Sequence, residues 1–233
     1  MEKHLLSKST FIRGTQCLKS LYLNKKRPFL RDKLSPEQLA VFRRGHKVGS
    51  LAQKLFPGGI DMGPRSPALY RKALLETQEA IRGNTYDILY EAGFQFDRLL
   101  VFLDILVREN GKWHAYEVKS SYKISDTFLL DAAFQYYVIT NSGMPLENFF
   151  IVYASEEMDY EKLDEYENLE PLFIRENVLN RILPLQDFIK EQVIREKETL
   201  TLDKSPDIPM GPHCYEPYPC DFIGHCSRQA QRK

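Results

Sequence analysis

Between two runs of alternating residues, Leu99 to Arg108 and Trp113 to Lys119, stands the dipeptide Asn110-Gly111. A two-residue type I′ hairpin loop needs positive φ at both central positions, which Asn and Gly tolerate, so the two runs are expected to pair antiparallel in a fixed register. Glu109 then faces Lys112, and counting back along both strands puts Asp104 directly opposite Glu117. Opposed residues share a face with Cβ atoms roughly 4.5–5.5 Å apart. Two carboxylates that close repel and raise each other's pKa unless a cation lies between them. Lys119, two residues after Glu117, projects from the same face. On the other face Val101, Leu103, Ile105 and Val107 are expected to meet Tyr116 and Val118 as a core-facing surface.

Carboxylates that hold Mg²⁺ or Mn²⁺, beside a lysine that orients the attacking water or stabilises developing charge, are what metal-assisted phosphodiester hydrolysis requires. Mg²⁺ suits an open site of this kind because it keeps several waters and takes one or two carboxylates. Taken alone, Glu117-Val118-Lys119 reads as an exposed strand with a weak charge pair. The surrounding segments carry the stronger expectation.

Helical signals fill the first third of the chain. A helix is expected from about Lys8 to Lys26, with Cys17 near its middle. Ser35-Pro36-Glu37-Gln38 supplies an N-cap, a proline at the first helical position and an acceptor at the third, opening a helix to about Phe56. Ser66-Pro67 opens another to Gly83. Strands follow at Tyr86 to Phe96 and in the hairpin, then a helix over Asp126 to Asn141 and a buried strand at Phe149 to Tyr153. A short strand near Pro171 to Ile174 and a helix over Val178 to Glu198 precede a proline-rich, loop-like tail.

With 233 residues and 43% hydrophobic content the chain can bury a core as one domain. Its 32 basic and 32 acidic residues cancel, so the total charge carries no nucleic-acid footprint and any basic groove is local. Lys19, Lys25, Lys26, Arg27, Arg31, Lys33, Arg43, Arg44 and Lys47 crowd the first fifth, while residues 156–170 are strongly acidic. A solvated charged face is the plainer reading of such a cluster. There is no apolar run long enough to span a bilayer and no signal-peptide pattern at the start, so a cytoplasmic protein without membrane contact is expected.

Several motifs occur in order: Gly45-His46 in an N-terminal helix, Asp104 in Phe-Leu-Asp-Ile-Leu-Val, Glu117-Val118-Lys119, Gln135 in the next helix, and one early plus three late cysteines. Together they resemble the RecB-type branch of the PD-(D/E)XK nucleases, notably the CRISPR-associated exonucleases and the AddB nuclease domain. The resemblance runs from Cys17 to Cys226. It implies an α/β restriction-endonuclease-like core, a mixed central sheet flanked by helices, with N- and C-terminal segments joined at a four-cysteine site. Residues 1–85 would be a helical part carrying Cys17 and His46, 86–200 the nuclease core and 201–233 the cysteine-containing segment. His46, Asp104, Glu117 and the Val118 carbonyl would bind the metal, Lys119 would be the catalytic lysine, and Gln135 would position DNA or that lysine. The implied activity is degradation of single-stranded DNA from an end, with a helicase or other repair or defence proteins as partners. The family's glutamine is commonly followed four residues later by tyrosine; here Ile139 stands there, beside Tyr136 and Tyr137.

Cys17, Cys214, Cys220 and Cys226 suit an iron–sulfur cluster or a structural zinc. His213 and His225 precede two of them and leave a mixed zinc site open. The resemblance favours a 4Fe-4S cluster; the late cysteines, spaced Cys-x5-Cys-x5-Cys, depart from the tighter first interval of better known members. The competing expectations are a catalytically silent nuclease-fold module that binds nucleic acid or a protein, a zinc-stabilised interaction domain, and the N-terminal nuclease part of a longer protein.

Overall fold

In the computed structural model, which describes residues 5–231, the Asn110-Gly111 turn forms as its residues demand, with φ of 52° and 78°. It joins β4 (Leu99–Glu109) to β5 (Lys112–Lys119), and five pairs from Glu109↔Lys112 to Ile105↔Tyr116 follow in the register that the turn sets. The ladder stops one step short of Asp104 and Glu117. There the Asp104 carboxylate accepts the Val118 backbone N–H at 2.7 Å, so a side chain takes the place of a strand partner.

The hairpin is the middle of a seven-stranded mixed sheet. β3 (Ile88–Phe96) runs antiparallel to β4. Beyond β5, a crossover through α5 (Asp126–Asn141) brings β6 (Asn148–Ala154) parallel to it, and β7 (Phe173–Asn177) closes that edge antiparallel. Two short strands complete the sheet: β1 (Leu6–Ser7) lies parallel on β4 at Leu99 and Leu100, and β2 (Ile60–Asp61) parallel on β3. Both escape sequence reading because two residues carry no periodicity.

Helices cover both faces. On one, Phe11 of α1 (Lys8–Gln16), Leu21 of α2 (Leu18–Lys26), Ala80 of α4 (Tyr70–Arg82) and Val193 of α7 (Gln186–Thr201) pack with α5 in one buried core. On the other, Val48, Leu51 and Ala52 of α3 (Pro36–Gln53) pack with Met158, Leu163 and Leu172 from the irregular acidic segment. The expected capping box opens α3: Ser35 Oγ accepts from Gln38 N at 3.2 Å and Gln38 Oε1 from Ser35 N at 2.9 Å. No helix among the described residues is long and apolar enough to cross a membrane.

Four expectations are corrected. The helix read over residues 8–26 is two helices that meet at Cys17, whose extended backbone (φ −162°, ψ 114°) caps α1 through its N–H to Arg13 O and starts α2 through its carbonyl to Leu21 N. The helix read from Val178 breaks into α6 (Leu179–Ile182), a 3₁₀ turn at Leu183–Leu185 and α7, because Pro184 has no N–H to continue the ladder. The tail is not all loop; it ends in α8 (Ile223–Ala230).

The fourth correction bears on the site. Val101 and Leu103 join the core under α5, whereas Ile105 and Val107 join the core under α3. The two-residue alternation therefore slips at Asp104. It slips on the neighbouring strand as well, at Glu91, which stands opposite Asp104 between the pairs Tyr90↔Ile105 and Ala92↔Leu103 and has φ of 51°. Matched breaks on adjacent strands leave the sheet intact and turn two carboxylates toward α1 and α5.

Candidate active site and cysteine cavity

Glu117 is the centre of the cluster. Its side chain is 3% exposed, and both its oxygens accept from Lys8 Nζ, at 3.2 and 3.1 Å. Oε1 also accepts from Lys119 Nζ at 2.8 Å. Lys119 is held from its other side by Asp131 and lies over the Phe128 ring at 5.3 Å. Lys8 reaches on to Asp104 Oδ1 at 3.7 Å. The β4–β5 hairpin thus supplies Asp104, Glu117 and Lys119, α5 supplies Asp131 and Gln135, and the first residue of α1 supplies Lys8. Phe11 stacks on Phe134 at 4.4 Å, one turn along from Lys8 and from Asp131 respectively, and so fixes the two helices beside each other.

Gln135 is fully buried with its amide toward Glu117, yet neither Nε2 nor Oε1 completes a hydrogen bond, and Asp131 Oδ1 is likewise unpartnered. Such orphaned polar atoms are costly and mark capacity for a further group. The electrostatics agree. Burial and the carboxylates around it push Glu91 up to about 8, and burial together with Glu117 pushes Asp104 up to about 6. Burial would raise Glu117 too, but the ammonium groups of Lys119 and Lys8 more than offset it and hold that carboxyl down at about 2. Both lysines stay protonated: burial opposes their charge, and the neighbouring carboxylates raise their pKa above the usual value. Even with two cations in place, the cluster carries more acid than it neutralises.

Of the residues expected at the catalytic and metal site, Asp104, Glu117, Lys119 and Gln135 come together, and the Val118 backbone binds Asp104 through its N–H. His46 does not join them. It is exposed on α3, lining an open cleft with Arg43, Lys47, Lys54, Leu163 and Asp164, because the buried stripe of α3 is Val48, Leu51 and Ala52. Lys8 and Asp131 were not among the expected residues; Glu91, in the sequence only a weaker candidate for a further acid, stands opposite Asp104. Asp131 had a signal, since it precedes Gln135 by four residues on an otherwise apolar helix face; Lys8 had none.

All four cysteines line one cavity, together with Lys19, Ser20, Met210 and His213. Burial raises the Cys17 and Cys226 thiols, and the other cysteines add to the rise. As placed, Cys220 Sγ donates to Ser20 Oγ at 3.4 Å and Cys214 Sγ lies 3.7 Å from His213 Nε2. Among the described residues no group of three or more His, Cys, Asp or Glu side chains is arranged to hold a metal ion as it stands.

No family model matches the chain, and no curated protein matches it. A solved structure described as "Crystal structure of SSO0001" is similar at a TM-score of 0.39 and 13% identity, over 89% of this chain and 81% of that one. Similarity at that level assigns neither function nor family.

Proposed function

We propose that this protein is a metal-dependent deoxyribonuclease of PD-(D/E)XK type, which hydrolyses phosphodiester bonds in single-stranded DNA from an end. The observation that carries the reading is the meeting of Asp104, Glu117 and Lys119 with Glu91, Asp131 and the unpartnered Gln135 amide at one point of the sheet. Asp104 and Glu117 would hold Mg²⁺ or Mn²⁺; such an ion, when bound, lowers the pKa of water and stabilises charge on a phosphoryl oxygen. The residues fit that role because their acidity exceeds the neutralisation that two lysines provide. Lys119, fixed between Glu117 and Asp131, is placed to hold the attacking water or the phosphate oxygen.

Cys17, Cys214, Cys220 and Cys226 would hold a 4Fe-4S cluster or a structural zinc, a donor set that a cavity lined by four thiols supports. A helicase or other repair or defence protein remains the kind of partner this activity would serve. A second reading, a nuclease-like module that binds nucleic acid without cutting, is favoured by one observation: Lys8 and Lys119 satisfy Glu117 with ammonium groups alone.

The test is single-turnover cleavage of single-stranded DNA by the wild type and Lys119→Ala, with binding measured in parallel. The nuclease reading expects cleavage lost on the order of a thousandfold with binding retained. Equal cleavage by both would remove Lys119 from the chemistry, and binding with no cleavage by either would favour the silent module.

A further inference from the structure

We propose that Lys8 is the internal counter-ion of this site, and that a phosphodiester draws its ammonium group off Glu117 so that divalent metal and polynucleotide bind cooperatively. The proposal rests on the nuclease reading above and adds a residue and a coupling to it. Lys8 Nζ lies 3.1–3.2 Å from both Glu117 oxygens and 3.7 Å from Asp104 Oδ1. Those are the oxygens a divalent cation would take, and an ammonium group beside them repels that cation and uses acceptor capacity it would need. The ammonium group therefore competes with the metal.

The two lysines differ in how firmly they are held. Lys119 is gripped by Glu117 and Asp131 over the Phe128 ring and is 16% exposed. Lys8 is 27% exposed and bonds only to the carboxylates that the metal would claim. It stands at the first position of α1, on a flexible four-carbon stem, so its charge can move while its backbone stays. A phosphate oxygen arriving at the cluster offers that point charge a new partner of the same sign and hardness as the carboxylate it leaves. The buried Gln135 amide and Asp131 Oδ1, unpartnered with Lys8 in place, give the arriving groups further hydrogen-bonding capacity. Moving Lys8 onto phosphate frees Glu117 for metal, and by linkage metal bound at Glu117 frees Lys8 for phosphate; coupling of this kind is typically about 5–150-fold.

The experiment is calorimetric titration of Mn²⁺ into the full chain, with and without a short single-stranded phosphorothioate oligonucleotide, for the wild type, Lys8→Met and Lys8→Arg. The expected result is that the oligonucleotide tightens wild-type Mn²⁺ binding about tenfold. Lys8→Met alone should bind Mn²⁺ about as tightly as the wild type does with DNA present, and Lys8→Arg should keep the coupling. A gain in metal affinity is a readout that a merely structural lysine would not give. Unchanged Mn²⁺ affinity in Lys8→Met, with no effect of the oligonucleotide on the wild type, overturns the role of Lys8 and leaves the nuclease reading standing. Failure of Mn²⁺ to bind any of the three proteins, with DNA or without, overturns both. Should Lys8→Met not fold, Lys8→Gln, which also removes the charge and keeps a polar stem, carries the same comparison.

Discussion

Glu196 shows what an isolated buried carboxyl does in this fold. It is fully buried on α7, its Oε1 accepts from Gln192 at 3.0 Å and its Oε2 has no partner. Burial pushes it up to about 9. The folded protein therefore holds a proton there that the unfolded chain releases near pH 4.5, so this group's contribution is present below that pH and is lost as pH rises toward about 9. Glu196→Gln should raise the melting temperature at pH 8 and flatten the fall in stability between pH 5 and 9, by several kcal/mol; a parallel fall in both proteins would show that Glu196 is not the cause. Asp104, Glu117 and Lys119 were legible in the sequence because a two-residue turn fixes which residues face each other across it. Lys8 was not, since nothing local in Ser7-Lys8-Ser9 points to carboxylates about a hundred residues away. His46 lies apart from the cluster because the buried stripe of its helix is Val48, Leu51 and Ala52, a placement that the dipeptide Gly45-His46 does not reveal.

At the scale of elements, α1 joins the two sites. Lys8 stands at its first position and Cys17 at its C-cap, about 13 Å apart along the axis. The helix is pressed against α7 where Gly14 meets Glu196: a Cβ there would come within 2.3–2.7 Å of the Glu196 carboxyl and Cγ. Gly14→Ala should cost about 1–3 kcal/mol in a denaturant melt, and its Mn²⁺ affinity should change as Lys8 shifts; a neutral substitution would show that α1 and α7 are looser than the structure has them. The break at Cys17 was hidden because no proline or turn signal marks it; Gly14 and Thr15 ahead of it are weak helix formers but do not by themselves end a helix. The slip in alternation at Asp104 was hidden for a related reason. It depends on Glu91 of the adjacent strand adopting a left-handed backbone, which single-strand periodicity does not record.

Across the whole molecule, the two ends meet through side-chain contacts. Asp221 pairs with Arg13 and Arg31, each at 2.6 Å, Gln16 donates to the His213 and Tyr218 carbonyls, and Asp32 accepts from Gly224 N at 2.8 Å. On the proposed reading, Cys214→Ser removes the metal bound at the cavity, seen as lost iron or zinc in elemental analysis, and lowers the melting temperature by roughly 5–10 °C without unfolding the sheet. An unchanged melting temperature and metal content would leave the four thiols without a metal role. The mixed sheet with helices on both faces was readable from the switch of periodicity near Tyr86, while the short strands and the packing of the ends were not, because they are set by contacts between distant segments. The central claim is that the hairpin cluster cuts DNA, and the most direct test is degradation of end-labelled single- and double-stranded DNA by anaerobically purified protein with Mn²⁺, with Mg²⁺ and with chelator, beside Asp104→Ala. The account predicts metal-dependent loss of single-stranded DNA from an end that chelator and the substitution both abolish; cleavage that persists in Asp104→Ala, or none from protein whose cysteine-bound metal is present, would contradict it.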